Sequence, residues 1–332
     1  MNDTEHIINS SIISSLSFTA NQINRYVPMF LFLIGSAGNI FGCVIWIHPK
    51  LRINQCIWYF FAANCSSMLY LIAAISPLLS AWNSSLDLAN TVPIICKIRM
   101  LIILVTRTLS LWFIAFAAID RYLFSRFDNN EQRLRFYRNP IASIGFFTIF
   151  SFLLWLETIF CFKIQLVAEP ISCYPVSTTC RIYNDIVFPV VSVIIPCTLM
   201  LIFGLLSIKN ILRSRRMLNP LPVPSTATEN ADRKLQRNLT KILIIQVTLM
   251  VTFNLPHALY TLYLTITSYN RKEAEQRDLE TFIYKMLLLV TFTSNSISFY
   301  FNLLTGSTFR RTAVELIQTQ MRYVNRFFRL HR

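Results

Sequence analysis

Apolar residues in this chain come in long, nearly unbroken runs rather than on one face of an otherwise polar helix or strand. A helix crossing a hydrocarbon layer about 30 Å thick needs roughly 20 of them. Runs of that length recur at 26–47, 57–82, 96–124, 140–162, 186–208, 242–267 and 282–304. The third is the least apolar, since Arg99, Arg107 and Asp120 interrupt it, but its neighbours flank it at loop-length spacing. The pattern predicts an all-α membrane protein, a seven-transmembrane helix bundle over 26–304. A polar tail, 1–25, precedes it, and an amphipathic helix and tail, 306–332, follow it. The longest connection, 213–233, contains Asn219-Pro220-Leu221-Pro222-Val223-Pro224 and is expected to be a cytoplasmic linker, because that stretch cannot continue a helix.

Composition agrees: 54% of residues are hydrophobic and 14% charged, about half the charged fraction of an ordinary soluble domain. The start has no basic-then-apolar leader, so the first span is expected to serve as its own insertion signal. No internal repeat is visible, which argues against many secondary transporters. The net charge of +15 would suit a nucleic-acid binder, but its distribution points elsewhere. With the N-terminus outside, the inner segments hold 21 of the 31 Lys and Arg and six of the 16 acids, so the inner side carries +15 and the rest is neutral. That is the positive-inside bias of a multi-pass protein. The bilayer, and no nucleic acid, is the expected partner, with the plasma membrane as location and the C-terminus cytoplasmic. Glycosylation sequons at Asn2, Asn9 and Asn83 all fall on the predicted outer side.

Candidate chemistry is sparse. Eight cysteines show no CxxC pair, and the four histidines (His6, His48, His257, His331) are scattered, so no metal or cofactor is expected. No HExxH set, no Ser/His/Asp group and no paired mid-span acids are present, so the chain reads as neither an enzyme nor, less firmly excluded, a small transporter. Cys43, Cys56, Cys65, Cys161 and Cys197 sit in apolar runs and are expected to be small buried hydrophobes. Arg107 lies 11 residues below Cys96, about 16 Å along a helix. An ionised group at that depth must face the bundle interior or a wet cavity. It either anchors a ligand carboxylate or the carbonyls of a peptide C-terminus, or pairs internally with Glu157 or another acid. The outer acids Glu169, Asp185, Asp278 and Glu280 are candidates to meet a basic peptide.

Asp120-Arg121-Tyr122 stands at the inner end of the third span, and Arg121 is 25 residues from Cys96, about 37 Å of helix. A Cys at one end and Asp-Arg-Tyr at the other resemble the rhodopsin-like (class A) G-protein-coupled receptors, over Tyr26 to Gln318. Gly38-Asn39, Pro196 and Pro256 fit the family's Gly-Asn pair and helix-kinking prolines. After Gly306, Phe309, Ala313, Leu316 and Ile317, interleaved with Arg310, Arg311 and Glu315, resemble its short eighth helix. Four signatures depart. Asn64 replaces an aspartate, and Phe253-Asn254-Leu255-Pro256 replaces Cys-Trp-x-Pro. Ser298-Phe299-Tyr300-Phe301-Asn302 replaces Asn-Pro-x-x-Tyr, and Gly204 replaces a tyrosine. The stretch 295–309 is similar to divergent invertebrate neuropeptide receptors, near the FMRFamide type.

The resemblance implies an extracellular ligand, a peptide for that branch, and a heterotrimeric G protein engaged at Asp120, Arg121 and Tyr122. It implies a ligand pocket at Ile103, Arg107, Asn254 and Phe292, and a polar core of Asn39, Asn64, Ser110, Asn295 and Ser298. It implies a disulfide from Cys96 to Cys173, which precedes Pro196 by the usual 23 residues, with Cys180 as the alternative. Ile103 occupies the place of the aminergic aspartate and Phe292 that of the opsin lysine, so amines and retinal are discounted. Arg233, Arg237 and Lys241 form a basic stripe that serves topology or touches a G protein or anionic lipid. Gln236 stands where some relatives carry an acid that locks Arg121, so signalling without ligand is expected. An orphan chemoreceptor of the same fold is the alternative.

Overall fold

A computed structural model describes residues 3–52, 54–80, 92–126, 139–165, 172–217 and 227–330. Asn2 and Asn83 lie outside the described residues, as does Glu169; Asn9 is in a described helix, but its side chain is not described. Among the described residues, seven helices are long and apolar enough to cross a membrane: Gln22–Trp46, Gln55–Ala74, Pro93–Leu123, Pro140–Cys161, Thr178–Asn210, Arg237–Tyr269 and Glu275–Thr305. Each is centred on one of the seven apolar runs. The ends differ. The first helix runs from Asp3, and helix enters the expected linker from both sides, to Met217 and from Ala227. The terminal helix, Ser307–Leu330, has 24 residues, longer than the short eighth helix the resemblance implies.

The third spanning helix is the most enclosed, packing on the second and fifth, while the first packs on the second and seventh. The fourth is the least enclosed and turns Phe146, Ile149, Phe152 and Leu153 outward, as a helix against lipid should. Close approach of the first and seventh helices depends on Gly35. A Cβ there would sit 2.7 Å from Ser296 Oγ and 2.9 Å from Ser296 Cα. Gly35→Ala is expected to destabilise the purified receptor by about 1–3 kcal/mol, the usual range for overpacking, read as a lowered melting temperature in detergent. An unchanged melt would show that the two helices part without penalty. Gly306 separates the seventh helix from the terminal one with an ordinary negative φ of -90°. Room, not backbone conformation, requires glycine, because a Cβ would meet Ile242 and the Asn302 carbonyl. Phe309 then seats against Trp46 at 4.6 Å between ring centroids, and Trp46 stacks on Phe60 at 5.0 Å.

The fifth helix contains a π-helical segment, Phe188–Ile194, within Thr178–Met217. At its end Ile195 N–H donates to Val190 O, five residues back. Pro196 has no N–H to continue that pattern, so Val191 O is released. Trp112 Nε1 donates to it at 3.0 Å. One residue on, Ser192 Oγ lies 2.6 Å from Thr108 Oγ1, which also accepts from Trp155 Nε1 at 2.9 Å. The expected distortion at Pro196 is thus a widened turn, and indole and hydroxyl groups of the third and fourth helices satisfy it. Pro256 lies inside the continuous helix Ala227–Ile266.

Candidate functional site

At the Cys96 end, Ser177 caps the fifth helix, its hydroxyl accepting from Cys180 N–H at 3.2 Å. The helix therefore starts at Thr178, eight residues before the expected 186, and Cys180 falls in its first turn. Strands β1 (Phe162–Gln165) and β2 (Ser172–Pro175) form an antiparallel hairpin before it, with Ile164 opposite Cys173. Cys96 is bonded to Cys173, and Cys161 to Cys180. Cys180 is accordingly not the partner of Cys96. Cys161 is not the buried thiol that its apolar surroundings suggest; the fourth helix ends there, at the hairpin, where a thiol faces the next helix rather than the core.

Beneath the hairpin lies a cavity of about 1150 Å³. Arg107 forms its floor, 5% exposed, with Nη2 3.3 Å from His257 Nδ1 and its guanidinium 4.7 Å from the Phe188 ring centroid. Tyr284 packs on His257 at 5.3 Å. Arg181, Asn184 and Asp185, on one face of the capped helix, form one wall, and Arg271, Lys272, Arg277 and Glu280 stand around the mouth.

Of the expected pocket residues, Ile103 and Arg107 line this cavity; Asn254 and Phe292 do not. Asn254 is turned into the bundle, donating to Met250 O at 2.9 Å and to Ser294 Oγ at 3.3 Å. Phe292 fills a cluster with Leu31, Tyr70 and Leu71. Sequence position alone could not separate one face of the sixth or seventh helix from another. Neither Glu157 nor another acid pairs with Arg107 among the described residues; its neighbour is His257, 150 residues away in the chain. Glu157 instead lies beside Asn184 and Thr158. The outer acids that line the cavity are already paired. Asp185 pairs with Arg181 at 3.5 Å and Glu280 with Lys272 at 2.7 Å, while Asp278, though exposed, does not line the cavity. His257, Tyr284 and the basic residues of the mouth were not legible as pocket residues. The nearest signal was a His immediately after the sixth-helix Pro.

Between the two ends runs a buried polar seam. Asn39 Nδ2 donates to Gly35 O and Asn295 O, Ser67 Oγ donates to Asn295 Oδ1, and Gln246 Nε2 donates to Ser298 Oγ. Asn64 is buried beside Gly42, but among the described residues its Nδ2 has no hydrogen-bond partner. Ser110 does not join the seam; its hydroxyl turns back to Arg107 O at 3.1 Å. Ser67 and Gln246 complete the seam in ways that motif matching missed.

At the opposite end, Arg121 is 3% exposed; its partners include Asp120 at 3.4 Å and the Asn54 side-chain carbonyl, to which Nη2 donates. Asn54, just before the second spanning helix, is itself buried. Tyr122 packs on Phe203, 5.4 Å between ring centroids. The side chains of Gln236 and Arg233 are outside those described; Arg237 and Lys241 are exposed on the sixth helix.

The family described as 7 transmembrane receptor (rhodopsin family) matches residues 38–298, more than half of the chain. No curated protein matches it. With seven spanning helices, the disulfide-tied cavity at one end and the Asp120-Arg121-Tyr122 cluster at the other, the chain belongs to the rhodopsin family: a multi-pass membrane G-protein-coupled receptor, a signalling protein and not an enzyme.

Proposed function

We propose that this receptor sits in the plasma membrane with the Cys96 end outside and transmits the binding of a neuropeptide to a heterotrimeric G protein at the Arg121 end. One observation carries the ligand class: a cavity of about 1150 Å³ that ends on a buried cation. Small-molecule pockets are commonly about 300–1,000 Å³, so there is room for several residues of a peptide, with its C-terminal group against Arg107. The resemblance of 295–309 to invertebrate FMRFamide-type receptors supports the same class.

Activation is a population shift: the ligand binds better to the form whose sixth helix has swung outward about Pro256. His257 follows that proline directly, so a ligand group at the Arg107–His257 floor acts on the hinge itself. The test is a peptide library applied to cells that carry the receptor and a promiscuous Gα subunit, read as calcium release. For any activating peptide, Arg107→Ala should raise the half-maximal concentration about tenfold or more, the loss of a hydrogen bond to a charged group, at unchanged surface level. A receptor silent to every peptide but answering small volatile compounds would make it a chemoreceptor instead.

A further inference from the structure

The charges lining the cavity sort into two sets. Its acids are Asp185 and Glu280, and each is already held by a base of the same cavity. Arg181 pairs with Asp185 at 3.5 Å. Glu280 accepts from Lys272 Nζ at 2.9 and 2.7 Å, from Gln276 Nε2 at 3.3 Å and from the Tyr263 hydroxyl at 3.4 Å. Once those pairs cancel, Arg107, Arg271 and Arg277 remain among the lining residues, all positive.

Arg107 is the one that needs a partner. Among the described residues no carboxylate forms an ion pair with it, and its Nε is buried without a hydrogen-bond partner. A guanidinium has only donors, so its contact with His257 requires that Nδ1 accept. That places the imidazole hydrogen on Nε2, which is also buried without a partner among the described residues. Two N–H donors at the floor thus lack acceptors, one of them on a charged group in a membrane interior, where an uncompensated charge is costly.

We propose that the ligand group reaching this floor is an anion, the free C-terminal carboxylate of a peptide, rather than a carboxamide or a basic end. This rests on the peptide-receptor reading above, and it departs from the C-terminal amide that the resemblance to FMRFamide-type receptors implies. A carboxylate presents two oxygens and a negative charge, and so can accept from Arg107 and from His257 together through charge-assisted bonds. A carboxamide brings two further donors to a floor made of donors and leaves the charge uncompensated. An arginyl amide end would add a second cation.

The experiment uses the purified full-length receptor in nanodiscs and two libraries of short random peptides. Both are N-acetylated and free of Asp and Glu; one ends in carboxylates and the other in carboxamides. Peptides retained by the receptor are counted by mass spectrometry against receptor-free nanodiscs. The carboxylate library should be retained about tenfold or more over the carboxamide library, as expected for a charge-assisted contact. The ratio should fall to about one in Arg107→Gln and persist in part in Arg107→Lys, which keeps the charge. Should Arg107→Gln fail to fold, the wild-type and Arg107→Lys ratios decide. Equal retention, or a preference for carboxamides, overturns the carboxylate while leaving the peptide reading in place. Retention of neither library removes both.

Discussion

Arg121→Ala is expected to reduce ligand-stimulated second-messenger output to that of cells without the receptor, with surface level and ligand affinity largely kept. Arg121 is 3% exposed, and its charge is compensated by Asp120 at 3.4 Å and by the Asn54 carbonyl. Truncation takes one partner from Asp120, which is also buried. Arg121→Gln, which can still donate to Asn54 and Asp120, therefore serves as the variant that separates folding from coupling. Both should be silent; signalling retained by a well-expressed Arg121→Gln would take the G-protein role away from this cluster. Asn54→Ala gives the opposite sign. It frees one contact of Arg121 without removing the cation, so ligand-free output should rise severalfold, about 1 kcal/mol of population shift for one hydrogen bond. An unchanged baseline would mean that Asn54 does not restrain Arg121.

The second large effect concerns the disulfide between Cys161 and Cys180. Replacing both by Ser should lower the melting temperature and weaken ligand binding together. The bond closes a segment of sequence separation 19, for which chain entropy predicts about 3 kcal/mol. It also ties the end of the fourth helix to the first turn of the fifth, whose next residues, Arg181, Asn184 and Asp185, are a cavity wall. Asn184 Nδ2 donates to Cys180 O at 3.0 Å, so displacement of that turn carries the wall with it. Binding should weaken about tenfold or more, as when a preorganised wall has to be ordered on binding. A lower melting temperature with unaltered affinity would confine the bond to stability. The bond from Cys96 to Cys173 is a separate staple, since it holds β2 to the third helix rather than helix to helix.

The spans could be read from sequence because lipid leaves few solutions: a run of about 20 apolar residues must be helical to satisfy its own backbone. Asp120, Arg121, Asn39 and Asn295, all of them buried, were picked out by the resemblance to the receptor family rather than by hydropathy. The misplacements have a common cause. Asn254 and Phe292 share helices with cavity residues, as His257 and Leu288 show, but face elsewhere, and in an all-round apolar helix no stripe of polarity tells one face from another. The early start of the fifth helix hung on a single Ser cap at Ser177, which a hydropathy window passes over.

Sequence by itself thus determined that this chain crosses the bilayer seven times and which residues are too polar to face lipid, because transfer into hydrocarbon is a property of each residue and its near neighbours. Tertiary structure alone decided who meets whom. It joined Cys161 to Cys180, set His257 rather than Glu157 beside Arg107, gave Arg121 to Asn54, and neutralised the acids at the mouth with adjacent bases. Those pairings depend on how each helix is rotated and where its neighbours end, and rotation is fixed only by packing among several helices at once.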